Sequence, residues 1–288
     1  MPDVHTLLTG LAFGESPRWH EDRLWFSNWG TQEVVAVDLD GKSEVVARVP
    51  TTLPYSIDWL PDGRLLIVSG PEALLLRREP DGSLATHADL SGIDRGFNEI
   101  VVDGRGNAYI NGGGFDLLAG EEFAPGVIVR VAPDGSARQV ADGIAFGNGM
   151  VVTPDNSTLI VAESYGNRLT AFDIADDGGL SNRRVWADLD GGFPDGICLD
   201  ADGAVWYGDV PNKRCVRVRE GGEVLRTVAL DRGCFACMLG GADGTTLFML
   251  AAEWRGVEHM SDEARTGRLL ITQAPAPGVG WPQTQRRQ

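Results

Sequence analysis

The chain has 288 residues, of which 43% are hydrophobic, and its formal net charge is −16 at pH 7. This composition is typical of a globular protein with enough apolar side chains for a core. The acidic balance argues against nucleic-acid binding, because such a surface repels phosphate backbones. The apolar runs are too short to cross a bilayer. Residues 1–10 lack the basic start and long apolar stretch of a signal peptide, so we expect a cytoplasmic protein.

A pair of short apolar strands around a tight turn recurs along the chain. The pairs occupy residues 16–27, 56–68, 101–110, 150–161, 197–207 and 237–250. Their turns are rich in Asp, Gly, Asn and Pro, which supply the positive or preset φ that hairpins require. A third apolar strand follows each pair, at 33–38, 73–78, 127–132, 168–174, 215–219 and 267–272. A weaker fourth strand follows several of them, as at 43–49 and 223–230.

Six such units predict an all-β fold, a six-bladed β-propeller of four-stranded antiparallel blades that spans residues 1–288 as one domain. The alternative, a two-sheet sandwich, does not explain a sixfold repeat. The last unit lacks an outer strand, whereas segment 4–9 precedes the first unit and has no other partner. We therefore expect segment 4–9 to close the ring by pairing with the last blade, which would cover an exposed strand edge.

Six residues occupy the same position in the repeat, four residues before the apolar residue that leads into each first turn. They are Glu15, Tyr55, Asn98, Asn148, Asp195 and Phe235, at intervals of 40, 43, 50, 47 and 40 residues. Equivalent positions on the innermost strands of a propeller meet around its axis. The sequence therefore predicts that these side chains converge.

Four of the six converging side chains carry oxygen: Glu15, Asn98, Asn148 and Asp195. Carboxylate and amide oxygens without His or Cys favour Ca²⁺ or Mg²⁺, with Mn²⁺ possible. Ca²⁺ is the first choice because Mg²⁺ demands a smaller and stricter octahedral site. Tyr55 and Phe235 are expected to form an apolar wall.

The four cysteines, Cys198, Cys215, Cys234 and Cys237, lie in the last third of the chain. Cys234 and Cys237 form a CxxC pair, which could indicate a redox site or half of a zinc site. No second CxxC is present, and the surrounding sequence CFACMLGG is typical of a buried strand. We expect core thiols.

The sequence around the four oxygen donors resembles the SMP-30/gluconolactonase family of calcium-dependent propeller hydrolases, to which diisopropyl-fluorophosphatase-like enzymes are related. The matching motifs are GESPRW (14–19), FNEIVVDGRGNAYING (97–112), NGMVVTPDNSTLIVAES (148–164), PDGICLDADGAVWYG (194–208) and FACMLGGADGTTLFM (235–249). The resemblance implies that Glu15, Asn148 and Asp195 bind the catalytic metal. It implies that Asn98 is a fourth ligand or contacts substrate through its amide.

The resemblance also implies substrate contacts in the third unit. An Arg before the Asn of this unit holds substrate hydroxyls in the sugar-lactonase branch, and Arg95 lies one residue further from Asn98 than is usual there. The segment 120–125, with Glu122, resembles that branch's acidic loop, but an enlarged glycine stretch (112–114) precedes it. The altered spacing predicts a changed pocket, so a specific sugar substrate does not follow.

The second strand of each unit should end at the mouth where the first begins. The residues at these ends are Asn28, Trp29, Asn111, Glu163, Tyr165, Asp209 and Glu253. We expect them to rim the pocket, with Trp29 and Tyr165 packing on a substrate ring.

The function implied is hydrolysis of a small, sugar-like lactone. The metal would polarise the carbonyl, and Asp195, or alternatively Glu15, would activate water. A Ser-His-Asp mechanism has no support because the chain contains no GxSxG motif. Two alternatives stay open: a phosphotriesterase or fluorophosphatase-like hydrolase, and a non-catalytic binding propeller that is stabilised by calcium.

Overall fold

Twenty-four strands form six four-stranded antiparallel sheets in a computed structural model that describes residues 3–260 and 264–280. The first blade consists of β2 (Gly14–His20), β3 (Arg23–Asn28), β4 (Glu33–Val37) and β5 (Ser43–Arg48). The second consists of β6 (Tyr55–Trp59), β7 (Leu65–Ser69), β8 (Leu74–Arg78) and β9 (Leu84–Asp89). The third consists of β10 (Phe97–Val102), β11 (Ala108–Gly112), β12 (Gly126–Val131) and β13 (Ala137–Ile144). The fourth consists of β14 (Gly147–Val152), β15 (Thr158–Glu163), β16 (Arg168–Ile174) and β17 (Leu180–Asp188). The prediction of a six-bladed β-propeller is confirmed.

The last two blades differ in how they obtain their outer strand. The fifth is β18 (Pro194–Leu199), β19 (Val205–Asp209), β20 (Arg214–Val218), β21 (Val224–Ala229). The sixth combines β22 (Gly233–Gly240), β23 (Thr246–Ala252) and β24 (Gly267–Gln273) with β1 (His5–Leu11). Strand β1 pairs antiparallel with β24, with His5 opposite Ile271. The predicted closure of the ring by the N-terminal strand is confirmed.

Side chains and glycines within the turn stabilise several of the hairpins between the first two strands of a blade. In the third blade, Asp103 Oδ1 accepts hydrogen bonds from the backbone N–H groups of Arg105, at 2.9 Å, and Asn107, at 2.8 Å. Gly106 has φ +86°, a conformation that glycine adopts without steric cost. The Asp-Gly pattern that reveals the repeat in the sequence thus fixes the hairpins in the structure.

The innermost strands β2, β6, β10, β14, β18 and β22 contact one another in sequence order, and β22 contacts β2, so they surround a central channel. Apolar clusters fill the space between blades. Between the first two, Trp25 and Trp59 pack edge to face with ring centroids 5.2 Å apart. The four cysteines are free and buried, as predicted, in a cluster that spans the last two blades.

Helical structure is confined to three 3₁₀ turns in the described residues: Trp29–Thr31, Ser164–Gly166 and Val257–His259. Within the same ranges, no helix has the length and apolar character needed to span a membrane.

Candidate metal and substrate site

The four predicted oxygen donors all line one cavity of about 470 Å³ at an end of the central channel. Each is the second residue of its innermost strand: Glu15 in β2, Asn98 in β10, Asn148 in β14 and Asp195 in β18. The structure therefore brings together the side chains that the repeat predicts to converge. Of the other two positions in this register, Phe235 lines the cavity.

Tyr55 is fully buried at the edge of the second blade. Its hydroxyl donates to the backbone carbonyl oxygens of Asn28, at 2.8 Å, and Glu33, at 3.0 Å. It therefore joins the first two blades and is absent from the described lining of the cavity.

A one-residue β-bulge follows the start of the innermost strand in every blade except the second. In β10, the four residues from Phe97 to Ile100 lie opposite the three from Gly112 to Ile110. Equivalent shifts occur between Glu15 and Arg18, Gly147 and Met150, and Pro194 and Ile197. A bulge bends the strand and turns a side chain out of the normal alternation. These bulges explain how a polar residue reaches the cavity while its neighbours pack between blades.

The two carboxylates of the site are held close together away from water. Burial, followed by the neighbouring carboxylates of Asp195 and Glu99, raises the pKa of Glu15 well above its usual value. Burial and the Glu99 carboxylate likewise raise the pKa of Asp195, and the Asn148 side chain partly opposes this effect. Without a bound cation, the charged forms of Glu15 and Asp195 are thus disfavoured.

The Oδ1 atom of Asp195 is buried and has no hydrogen-bond partner among the described residues. An unsatisfied buried carboxylate oxygen is costly and needs a ligand to explain it. A divalent cation would satisfy this atom and offset both carboxylate charges. The described residues contain no group of three or more His, Cys, Asp or Glu suited to a metal. The four oxygen donors of the cavity, two carboxylates and two amides, instead fit a hard cation.

Backbone contacts between blades hold the two asparagines. Asn98 Nδ2 donates to the carbonyl oxygen of Gly147 at 3.2 Å, and Asn111 Nδ2 donates to the carbonyl oxygen of Asn148 at 2.5 Å. Both bonds link the third blade to the fourth. They fix the position of two donors before any ligand arrives.

A buried polar cluster that was not predicted from the sequence lies close to the donors. Ser16 Oγ donates to Glu99 Oε1 at 2.8 Å. Arg18 lies 3.6 Å from the Glu99 carboxylate and 3.8 Å from that of Asp58, and it also donates to the Ile100 carbonyl oxygen. Glu99 interrupts the apolar strand FNEIVV, and this was the signal available in the sequence. The Arg18 guanidinium thus lies within the channel, where its positive charge compensates the buried carboxylates of Glu99 and Asp58.

Trp29 and Tyr165, the two predicted aromatic contacts, both line the cavity. The Trp29 indole N–H donates to the Tyr55 carbonyl oxygen at 2.6 Å and its ring stacks on Phe13 with centroids 5.3 Å apart. Tyr165 is 48% exposed and its ring lies 4.7 Å from that of Phe146. Trp29 is thus fixed in the wall, whereas Tyr165 belongs to the mouth.

Arg95 and Glu122 lie outside the described lining of the cavity. Arg95 Nη2 contacts both carboxylate oxygens of Glu121, at 2.8 and 2.9 Å. Glu121 in turn accepts the backbone N–H of Asp116, at 2.9 Å. Arg95 therefore holds the loop between β11 and β12 in place, and Glu122 is exposed on that loop.

Four residues expected at the rim are instead buried within blades: Asn28, Asn111, Glu163 and Asp209. Glu163 pairs with Arg168 at 2.9 Å and with Arg183 at 3.1 Å. The expectation was wrong for these four because they end strands that neighbouring loops cover, so they hydrogen-bond within the fold. Glu253 is exposed and lines a small neighbouring pocket.

The fold and site define a propeller with a hard-donor centre at one end of its channel. A family model described as "SMP-30/Gluconolactonase/LRE-like region" matches residues 13–253. The chain belongs to this family.

The names of similar proteins differ, and only some of them state an activity. Regucalcin of Xenopus laevis is 30% identical over 260 residues, which cover 83% of each chain. A 6-deoxy-6-sulfogluconolactonase of Pseudomonas putida is 27% identical over 162 residues, which cover 54% of this chain and 56% of the relative. The crystal structure of a calcium-binding protein, regucalcin, from Agrobacterium tumefaciens covers 99% of this chain and 98% of its own, at 21% identity and a TM-score of 0.80.

Proposed function

We propose that this protein is a divalent-cation-dependent lactonase, a hydrolase that opens a small cyclic ester. The observation that carries the proposal is the buried, unpartnered Oδ1 of Asp195, which lies beside Glu15 in a cavity large enough for a substrate. The name of the Pseudomonas putida relative, a sulfogluconolactonase, supports this reaction class. We propose one catalytic domain over residues 1–288 and a cytoplasmic location, as the sequence predicts.

Glu15, Asn98, Asn148 and Asp195 would hold the cation. Ca²⁺ suits their mixed carboxylate and amide oxygens, and Mg²⁺ or Mn²⁺ are the alternatives. The name of the Agrobacterium tumefaciens neighbour, a calcium-binding protein, agrees with this choice. When bound, the cation would supply Lewis acidity toward the lactone carbonyl.

Asp195 is the proposed general base. Its carboxylate lines the cavity, so an oxygen that the cation does not occupy would accept a proton from the attacking water. Glu15 is the second candidate, although the backbone N–H of Ser16 donates to its Oε2 at 3.1 Å. The Asn98 amide oxygen would serve as a cation ligand or, alternatively, contact the substrate, because the amide nitrogen already donates to Gly147.

Arg95 and Glu122 would reach a substrate only after the loop between β11 and β12 moved. The pairing of Arg95 with Glu121 opposes that movement. Because this ion pair is exposed to solvent, it contributes little to the stability of the closed loop. We therefore keep both residues as proposed substrate contacts of an opened loop.

The test is proton release from a panel of γ- and δ-lactones and one phosphotriester, with Ca²⁺ and with a chelator. We expect lactone hydrolysis that chelation abolishes and that Asp195→Asn reduces at least about a hundredfold. Asp81→Asn is the matched control, because Asp81 is an exposed turn residue that bonds only to Ser83 in the described structure. Chelator-resistant hydrolysis would contradict the proposal.

The regucalcin names among the relatives favour a second candidate, a calcium-stabilised binding propeller without catalysis. It predicts that chelation lowers the melting temperature while no lactone is hydrolysed. Preferential turnover of the phosphotriester would instead indicate the fluorophosphatase-like activity.

A further inference from the structure

The wall of the large cavity is apolar over most of its extent. Its described apolar side chains include Phe115, Leu118, Phe146, Phe193, Phe235 and Met260. They come from strand β22 and from loops of several blades, so the apolar character belongs to the cavity as a whole. A pocket of this type recognises a ligand mainly by burying its apolar surface.

Polar groups that could recognise sugar hydroxyls are scarce in this cavity. Among the described residues that line it, none is a lysine, arginine, histidine or glutamine. Beyond the four cation donors, Thr52, Asp116 and Ser164 are its small polar side chains. The Ser164 hydroxyl already donates to the Pro194 carbonyl oxygen at 2.7 Å. A polyhydroxylated ring would lose its hydration here without regaining equivalent hydrogen bonds.

The loop between β11 and β12 contributes much of the apolar surface. Phe115, Leu117 and Leu118 of this loop line the cavity. Phe115 and the nearby Phe123 both contact Tyr165, with ring centroids 6.1 and 5.5 Å away. In this conformation of the loop, in which Arg95 pairs with Glu121, Phe115 and Phe123 lie beside Tyr165 at the mouth.

The mouth also gathers the exposed aromatic residues of the described chain. The large aromatic side chains that are exposed are Phe123, Tyr165, Phe193 and Trp254. Three of them line the cavity, and the fourth contacts Tyr165. Exposed apolar groups that cluster around a cleft mark a binding site rather than chance exposure.

We infer that the substrate is a lactone with an apolar alkyl or aryl substituent, and not a polyhydroxylated sugar lactone. This inference rests on the proposed lactonase function and specifies its substrate. The ring carbonyl would lie near Glu15 and Asp195 at the floor. The substituent would extend along Phe146 and Leu118 toward the aromatic mouth.

A homologous series of γ-lactones with side chains from methyl to octyl tests the inference, with glucono-δ-lactone as the polar comparison. We expect kcat/KM in Ca²⁺ to rise about fourfold for each of the first few added methylenes, as burial of a methylene predicts. Glucono-δ-lactone should be the poorest substrate. A flat series, or preference for glucono-δ-lactone, would overturn the inference.

Two exposed leucines provide a matched pair of variants. Leu118 is 48% exposed and lines the cavity, whereas Leu39 is 43% exposed in the turn between β4 and β5. Leu118→Gln should lower kcat/KM for the octyl lactone at least about fivefold more than for the methyl lactone. Leu39→Gln should alter neither. Equal effects of Leu118→Gln on both lactones would count against the inference.

Binding of the corresponding γ-lactams tests this inference separately from the proposed function. The affinity for a lactam can be measured whether or not the protein hydrolyses lactones. Titration calorimetry should give a Kd that falls as the alkyl chain lengthens. If the lactams bind in this way but no lactone is hydrolysed, the apolar-ligand inference stands and the lactonase proposal fails. If chain length does not change lactam affinity, the inference fails whatever the activity.

Discussion

The side-chain amide of Asn98 donates a 3.2 Å hydrogen bond from Nδ2 to the carbonyl oxygen of Gly147, the residue before Asn148. This contact joins two donors of the proposed cation site through the backbone. Because the nitrogen is engaged, the oxygen of the Asn98 amide is the atom left for a ligand. One hydrogen bond thus orients the Asn98 amide and links it to β14, the strand that carries Asn148.

Asn98→Ala should weaken both the fold and the site. Loss of the interblade hydrogen bond should cost about 1 kcal/mol of unfolding free energy, and loss of the oxygen should raise the Ca²⁺ Kd at least about tenfold. Denaturant unfolding in chelator and calcium titration of the variant measure the two effects separately. An unchanged Kd would remove Asn98 from the ligand set.

Asp195→Asn should have opposite effects on stability with and without metal. In chelator it removes a charge that burial and Glu99 disfavour, so the melting temperature should rise by about 2–6 °C. In saturating Ca²⁺ the wild type should be the more stable, because only its carboxylate binds the cation strongly. Scanning calorimetry of both proteins in both buffers tests this, and a variant that melts lower in chelator would argue against buried repulsion.

Calcium should stabilise the wild-type protein. At a concentration of about 100 times Kd, ligand binding contributes about 2.7 kcal/mol, which corresponds to a rise in melting temperature of about 5–10 °C for a chain of this size. Mg²⁺ should give a smaller shift because it dehydrates reluctantly. Thermal scans with each ion, followed by chelation, would show whether the effect is reversible and specific.

Gly149→Ala should disrupt the contact between the fourth and fifth blades. A Cβ at Gly149 would lie 2.4 Å from the backbone nitrogen of Ile197 and 2.8 Å from the carbonyl oxygen of Asp195. The strands would have to separate, at a cost of about 2 kcal/mol or more. Gly92→Ala is the control, since nothing lies within 4 Å of its Cβ. Chemical denaturation should show a loss for Gly149→Ala alone.

Glu163→Gln should reduce stability in a pH-dependent way. Burial opposes ionisation of Glu163, but hydrogen bonds from Arg168 and Thr170 outweigh it and lower the pKa of Glu163. A lowered pKa means that the carboxylate stabilises the fold above its unfolded pKa of about 4.3, and that this contribution is lost as the pH falls through the folded pKa. The variant should therefore lose about 1–3 kcal/mol at pH 7. Unfolding curves should show that the difference in free energy of unfolding between wild type and variant is smaller below pH 4 than at pH 7.

The fold could be predicted because its turns repeat the same chemistry, with Asp103 and Gly106 as examples. The donors could be predicted because they interrupt an apolar register. The bulges could not, since an extra residue such as the one between Phe97 and Ile100 leaves no distinct mark in a single sequence. Arg18 was missed because its role depends on carboxylates from two other blades. Glu163 was misplaced because strand ends were assumed to be open to solvent.

Closure of the ring by β1 has a consequence for how the protein is made. The Thr272 hydroxyl donates to the carbonyl oxygen of Asp3 at 3.0 Å, across 269 residues of sequence. During synthesis, Glu15 and Asp195 leave the ribosome long before β24, the strand that β1 needs as a partner. A nascent chain would therefore carry its acidic donors without an enclosing wall. Assembly of a competent centre should be among the last events of biosynthesis, with incomplete translation products left inert.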